Sequence, residues 1–293
     1  MYETMLIILE QALVHFPLIL GAYISISLMK TPDISIESAY VFGAILGSLA
    51  VPMVQNMQPL TGILIIIGAS LFGGACVGVV SSLLTEKAHI PHLLSSILTI
   101  GIFHGITQLI AGVYVSLSGY TNLLAVYDTI PWHSEIPMLG IIFVLLSIIA
   151  IYFFNTKLGY SWAAFGVNPH FFQNYGISSG YVLVTGIIVS NALAGLSGYL
   201  YAQSNGFADI SMGFGKLLLC VTTLILGKAI YKGLLSVFTP IAGVISYFTL
   251  QQLLVKCGFD LRYFTMVQAL VIVAILIIEF RNTESLYTDQ LGV

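Results

Sequence analysis

Five polar side chains inside long apolar runs are the residues of this chain best placed for chemistry: His15, His104, Gln108, Asn191 and Gln203. They do not form the spaced series of carboxylates that a proton or sodium relay requires, which disfavours ion-coupled transport. His104 and Gln108 are four residues apart and would share one face of a helix. This pair either bonds to a neighbouring helix or lines a path for a solute.

The sequence lacks motifs for covalent chemistry. It contains no HExxH, no GxSxG and no cluster of zinc ligands. The string Gly213-x-Gly215-Lys216 does not have the spacing of a phosphate-binding P-loop. We therefore expect no catalytic residue, no metal and no cofactor in this chain, and any ATP and Mg²⁺ must be bound by another polypeptide.

The three cysteines carry no redox or ligand pattern. Cys76, Cys220 and Cys257 are isolated in apolar sequence and are expected to be small buried side chains. His89 and His92 could share a helix face, but no third ligand accompanies them. A metal site is not expected there.

The composition indicates a polytopic membrane protein. The chain is 58% hydrophobic and 7% charged, against about 25% charged in soluble domains. Its mean hydropathy is +1.01. The net charge of −3 offers no basic surface for nucleic acid. Residues 1–11 hold no Lys or Arg, so the first apolar run is expected to remain as a membrane helix and not to be cleaved as a signal peptide.

The apolar runs predict an all-α bundle of about nine transmembrane helices in a single domain, residues 1–293. Asp33, in the loop after the first run, is expected to cap the second helix. Small residues four apart should let helices approach closely, at Gly43/Gly47, Gly74/Gly78, Gly101/Gly105 and Ala194/Gly198. The predicted spans are 5–29, 37–54, 60–84, 91–115, 136–154, 177–202, 213–229, 234–255 and 263–280.

The distribution of basic residues favours an N-terminus outside the cell and a cytoplasmic C-terminus. This orientation places six cations inside (Lys30, Lys87, Lys157, Lys228, Lys232 and Arg281) and three outside (Lys216, Lys256 and Arg262).

A polar interruption of about twenty residues, 155–176, separates two runs that are each long enough to cross a bilayer. Its Gly, Asn and Pro residues are turn and cap signals that bracket a short helix lying along the membrane surface. In the favoured orientation this segment is cytoplasmic. Phe165, Phe171 and Phe172 are expected to expose aromatic area there, which would suit a docking surface.

Several sequence blocks carry a resemblance to a known family. They are Thr156-Lys-Leu-Gly159 with Ala164-x-Gly166-x-Asn168-Pro169, then Gly176-Ile177, Ser190-Asn-Ala-Leu-Ala-Gly-Leu-Ser-Gly198, Pro32-Asp-Ile-Ser-Ile36 with Phe42-Gly-Ala44, Leu83-Leu-Thr-Glu-Lys87 with Leu93-Leu-Ser-Ser-Ile-Leu98, and Gln203-x-x-Gly206-Phe-Ala-Asp-Ile-x-Met-Gly213. Over roughly residues 30 to 280 the chain resembles inner-membrane permeases of ABC importers of the branched-chain amino acid and ribose type. Within that family it is most similar to permeases of tryptophan/tyrosine import systems.

The resemblance implies a bacterial inner-membrane permease that pairs with a second copy of itself, with a cytoplasmic ABC ATPase dimer and with an extracytoplasmic solute-binding protein. The substrate path would follow the interface between the two permeases, surrounded by membrane lipid. An aromatic amino acid is the expected solute; a branched-chain amino acid, a sugar or another small polar metabolite are the alternatives. The residues assigned to ATPase coupling are Trp162, Phe165, Gly166, Asn168, Pro169, His170, Phe171 and Phe172, and those assigned to the path or its gate are His104, Gln108, Asn191, Gln203 and Asp209.

The coupling segment departs from its relatives in one respect. They often carry Arg and acidic residues there, whereas Trp162 to Tyr175 has no formal charge, so an apolar and hydrogen-bonded contact is expected. Two other functions stay open. A secondary carrier would need paired ion-binding groups or inverted repeats, and a non-transporting scaffold would leave the capped aromatic interruption unexplained.

Overall fold

The computed structural model describes residues 2–120, 135–169, 171–172, 178–231, 237–260, 263–270 and 272–273. Internal contacts divide the chain into two compact units, Met1–Thr249 and Leu250–Val293. The first unit contains the elements discussed below, and the second contains the end of the last helix and a short helical segment, 264–270. The prediction of one domain over the whole chain stays a prediction.

Helices dominate the described ranges, and eight of them are long and apolar enough to cross a membrane. The bundle predicted from the apolar runs is thereby confirmed, although the ninth predicted span, 263–280, lies partly outside the described residues. The elements are α1 (Tyr2–Ala22) continued by a π-helical turn (Tyr23–Leu28), α2 (Ile36–Val54), α3 (Pro59–Glu86), α4 (His92–Ala111), β1 (Tyr114–Ser116), α5 (Ile136–Phe154), α6 (Lys157–Val167), α7 (Ser179–Asn205), β2 (Phe207–Asp209), a 3₁₀ turn (Ile210–Gly213), α8 (Lys216–Ile230) and α9 (Phe238–Lys256).

Helix α7 lies at the centre of the first unit and packs against α1, α2 and α3. Small residues make this close packing possible. A Cβ added at Gly195 would meet the carbonyl oxygen of Ser70 at 2.5 Å, and one added at Gly198 would overlap the carbonyl of Tyr40. Lipid tails are as apolar as the helix side chains, so burial from water does not drive helices together inside a bilayer. Close backbone contact is therefore a main source of helix association.

Three of the four predicted small-residue pairs therefore serve helix packing inside the chain. The exception is Gly101/Gly105 on α4, where an added Cβ would meet nothing within 4 Å at either position.

The connection between α1 and α2 is irregular. The helix widens into its π turn, and Lys30 then takes a positive φ of 53°. Asp33 in this connection is buried, with 1% of its surface exposed. The expectation that Asp33 caps α2 needs correction. Its carboxylate accepts hydrogen bonds from the backbone N–H and the hydroxyl of Ser35, at 3.0 and 2.7 Å, and also accepts one from Asn191 on another helix. The N-cap of α2 is Ser35, without a side-chain cap bond.

The structure adds a small antiparallel ribbon that the apolar pattern did not indicate. β1 pairs with β2, with Tyr114 opposite Asp209 and Ser116 opposite Phe207. The ribbon joins the C-terminal ends of α4 and α7 at one end of the bundle. Glu10, near the start of α1, accepts a bond of 2.6 Å from Ser204 at that same end. The predicted sidedness is not tested by these contacts.

One prediction about cysteine is wrong in part. Cys220 is buried as expected, but Cys76 is only partly buried and Cys257 is exposed.

Candidate functional site

A cavity of about 580 Å³ lies between α2, α4 and the turn that follows β2. Three predicted path residues, His104, Gln108 and Asp209, line it together. His104 and Gln108 are exposed in the chain, and neither bonds to another helix within its described part. Both side chains lie in the cavity wall, and the assignment of this pair to a solute path stays a prediction. The remaining lining residues are Glu37, Ser38, Val41, Ile100, Thr107, Val113, Ile210, Ser211, Gly213 and Phe214.

Asp209 shapes the turn that borders this cavity. Its Oδ1 accepts from the backbone N–H and the hydroxyl of Ser211, at 2.5 and 2.6 Å. The residue is therefore the N-cap of the 3₁₀ turn, and it also lies in the cavity wall. Gln203 lies next to it, in a second recess of about 680 Å³ that also contains Asp209. The Gln203 side chain accepts a bond of 2.8 Å from Tyr199.

Glu37 in the first turn of α2 is a cavity residue that sequence reasoning missed. Its carboxylate accepts from the backbone N–H of Leu217 at 3.1 Å and so caps the start of α8. A negative charge is favourable at a helix N-terminus. The sequence did carry a signal that could have identified Glu37. An ionisable residue at the start of a membrane span by itself indicates a functional position.

Lys216 at the start of α8 is a second missed residue. Its ammonium lies 3.1 Å from His15 Nε2 and sits 4.8 and 4.3 Å from the ring centres of Tyr40 and Tyr201. Cation–π contact compensates an ammonium that has left water. Lys216 is thus packed against the bundle, whereas its predicted position on the outer side stays a prediction.

Asn191 is not in either cavity. Its side chain is fully buried, donates to Asp33 Oδ2 at 2.7 Å and to the Ile187 carbonyl at 3.0 Å. Ser81 on α3 also donates to Asp33, at 3.4 Å. These bonds tie the α1–α2 connection, α3 and α7 together, so the structure groups Asn191 with helix packing and not with His104, Gln108 and Asp209.

Helix α6, in the interrupted segment, is seated on the bundle by its aromatic side chains. Trp162 is fully buried, donates from Nε1 to Thr185 at 3.3 Å and packs on Phe153 with ring centres 4.8 Å apart. A Cβ added at Gly166 would overlap the carbonyl of Leu28. Thr156 caps the helix by accepting from Gly159. α6 therefore contacts α5, α7 and the π turn after α1.

The expected exposure of the aromatic residues in this segment is wrong for two of the three. Phe165 and Phe172 are buried against the chain itself, while Phe171 is 46% exposed. The outward apolar area comes mainly from Val167, 78% exposed, with Phe171 and Tyr160. Asn168 and Pro169 lie at the exposed end of the helix. His170 lies outside the described residues. So do Asn174 and Asn122, which the predicted orientation places on opposite sides of the membrane and which labelling from either side would distinguish.

A family model described as the permease component of branched-chain amino acid transport systems matches residues 5–276. No solved structure matches the chain.

Curated relatives include a tyrosine transport system permease protein of Clostridioides difficile, 30% identical over 229 residues that cover 77% of this chain and 73% of the relative. An uncharacterized protein of Rickettsia prowazekii is 29% identical over 76% of each chain. The autoinducer 2 import system permease protein LsrC of Photorhabdus laumondii is 22% identical over 77% of this chain and 65% of its own length.

The family match covers nearly the whole chain, and the bundle of apolar helices is what a multi-pass inner-membrane protein requires. The family match therefore indicates that the chain is a transport subunit rather than an enzyme. The chain belongs to the family of permease components of branched-chain amino acid transport systems.

Proposed function

We propose that this permease is the membrane subunit of an ATP-driven importer that carries an aromatic amino acid into the cytoplasm. In this proposal an ABC ATPase dimer docks on the 155–176 segment, a solute-binding protein delivers the solute from outside, and two copies of the permease form the path. Support for the solute comes from the relative named for tyrosine transport. The exposed Phe214 in the cavity wall suits an aromatic ring.

The observation that carries the proposal is the seating of α6. A helix of eleven residues is held to the bundle by a fully buried Trp162, yet presents Val167 and Phe171 outward. Buried anchors on one side and an exposed apolar end on the other are what a coupling element needs.

The contacts of α6 connect the proposed docking surface to the other helices of the bundle. Trp162 bonds to Thr185 on α7, and Gly166 lies against the backbone at the end of α1. α7 in turn packs on α1, α2 and α3. Movement of α6 by an ATPase would therefore be transmitted to the helices that border the cavity, as alternating access requires.

Co-purification tests the docking surface. Tagged permease taken from native membranes should bring down an ATPase subunit. The double change Val167→Asp and Phe171→Ala should abolish this association, because an apolar anchor at an interface is worth about 2 kcal/mol or more, roughly a thirtyfold change in affinity.

Two variants control the experiment. Tyr114→Ala removes an exposed aromatic residue from the β1–β2 ribbon, which follows the C-terminal end of α4. This variant should leave ATPase binding unchanged. Phe165→Ala should lower the folding stability and so reduce the yield of protein, because Phe165 is buried within the chain. Wild-type ATPase binding by the Val167/Phe171 double variant would show that docking occurs elsewhere.

A further inference from the structure

We propose that the cavity between α2, α4 and the turn after β2 binds the amino group of the transported solute, with Glu37 and Asp209 as its acidic wall. The inference rests on the proposed function, because it assigns a chemical feature to the solute of that transport. It makes Glu37 a specificity-determining residue of the permease.

Two hydroxyl groups in the cavity wall are open to a polar ligand. Ser38 and Thr107 are 8% and 1% exposed and both line the cavity. Neither hydroxyl has a hydrogen-bond partner among the described residues, and neither oxygen is among the enclosed polar atoms that lack a partner. Both oxygens are therefore available to bond with water or a ligand in the cavity.

The charges of the described cavity wall are negative. Glu37 and Asp209 are its acidic residues, and neither Lys nor Arg is among the described residues that line it. Lys216 lies outside this wall, with its ammonium against His15, Tyr40 and Tyr201. It interacts electrostatically with Glu37, so an amine in the cavity would share the Glu37 carboxylate with this cation.

A protonated amine fits this wall. It has three donors and no acceptor, and the wall offers carboxylate and hydroxyl oxygens as acceptors. Val41, Ile100, Ile210 and Phe214 supply apolar surface for the rest of the ligand. The cavity volume of about 580 Å³ is within the range of small-molecule sites. An anionic ligand would meet two like charges, which disfavours it.

Ligand-observed NMR titration of the full-length permease, purified in nanodiscs with its ATPase, tests the inference. The probes are L-tyrosine, tyramine, which has the amine but no carboxylate, and 3-(4-hydroxyphenyl)propanoate, which has the carboxylate but no amine. Tyrosine and tyramine should bind saturably, and the deaminated acid should bind about tenfold more weakly or not at all.

Glu37→Gln is the informative variant. The amide retains an oxygen that can accept from Leu217 N–H, so the start of α8 stays capped while the charge is lost. Tyramine affinity should fall about tenfold. Glu3→Gln removes the same charge from an exposed position of α1 and should bind tyramine like the wild type. Equal melting temperatures of the two variants would show that folding is unaffected.

The results separate this inference from the proposed function. Wild-type protein that binds neither amine, binds the deaminated acid as well as tyramine, or keeps its tyramine affinity after Glu37→Gln would overturn the amine site. An ATPase that co-purifies and drives uptake in that case would leave the importer function standing. Conversely, amine binding without any ATPase partner would support the site and contradict the importer.

Discussion

At the scale of single residues, the buried Asp33 carboxylate is the clearest example of a side chain whose energy depends on distant partners. Its oxygens are satisfied by Ser35 nearby, by Ser81 48 residues away and by Asn191 158 residues away. Donors of this kind offset the cost of holding a carboxylate out of water. The cluster stabilises the turn at which α2 begins.

Replacement of Asn191 tests this cluster. Asn191→Ala removes the 2.7 Å donor to Asp33 and should lower the free energy of unfolding by about 1–3 kcal/mol. Asn191→Asp should be more damaging, because it places a second carboxylate beside the first. Thermal unfolding of the purified protein in detergent measures both. Asn205→Asp, at the exposed end of the same helix, is the matched control and should change the melting temperature little. Similar melting temperatures for all three variants would contradict the structural role of the cluster.

Residue roles were the least predictable part of the sequence. His104, Gln108 and Asp209 were identified from polarity and family resemblance, and the structure does bring them to one cavity. Glu37 and Lys216 were missed because their roles depend on the approach of α8 to α1, α2 and α7, and no local pattern encodes that approach. The same reason explains why Phe165 and Phe172 seemed exposed: an aromatic residue in a polar segment can still face its own bundle.

At the scale of elements, the helices follow directly from the apolar runs. Their predicted ends agree with the structure to within a few residues, because a bilayer leaves a helix as the one local way to satisfy the backbone. The π turn after α1 and the β1–β2 ribbon were not predictable, since both depend on tertiary contact.

Helix approach is testable with a matched pair of glycines. Gly198→Ala places a Cβ against the Tyr40 carbonyl, so α2 and α7 must separate, at a cost of about 1–3 kcal/mol. Gly105→Ala meets no atom within 4 Å, and the better helix former should leave stability unchanged or raise it by up to about 1 kcal/mol. Thermal unfolding in the same detergent compares the two. A Gly198→Ala protein as stable as Gly105→Ala would mean that the α2–α7 backbone contact is not as described.

At the scale of the whole molecule, composition was enough to predict a multi-pass membrane protein, and family membership makes it a transport subunit. The energy source follows from neither composition nor the family description. In our account the energy enters through α6 and reaches the cavity by way of α7. An ion-coupled carrier would instead need its own ion-binding groups.

The measurement that tests this account most directly is solute uptake by proteoliposomes containing the permease, its co-purified ATPase and a binding protein in the surrounding medium. We expect labelled L-tyrosine to accumulate only when ATP is hydrolysed on the ATPase side, and to do so after ionophores have dissipated sodium and proton gradients. The Val167→Asp, Phe171→Ala double variant should abolish that accumulation while the permease remains inserted. Uptake by the permease alone, driven by an ion gradient and indifferent to ATP, would contradict the account.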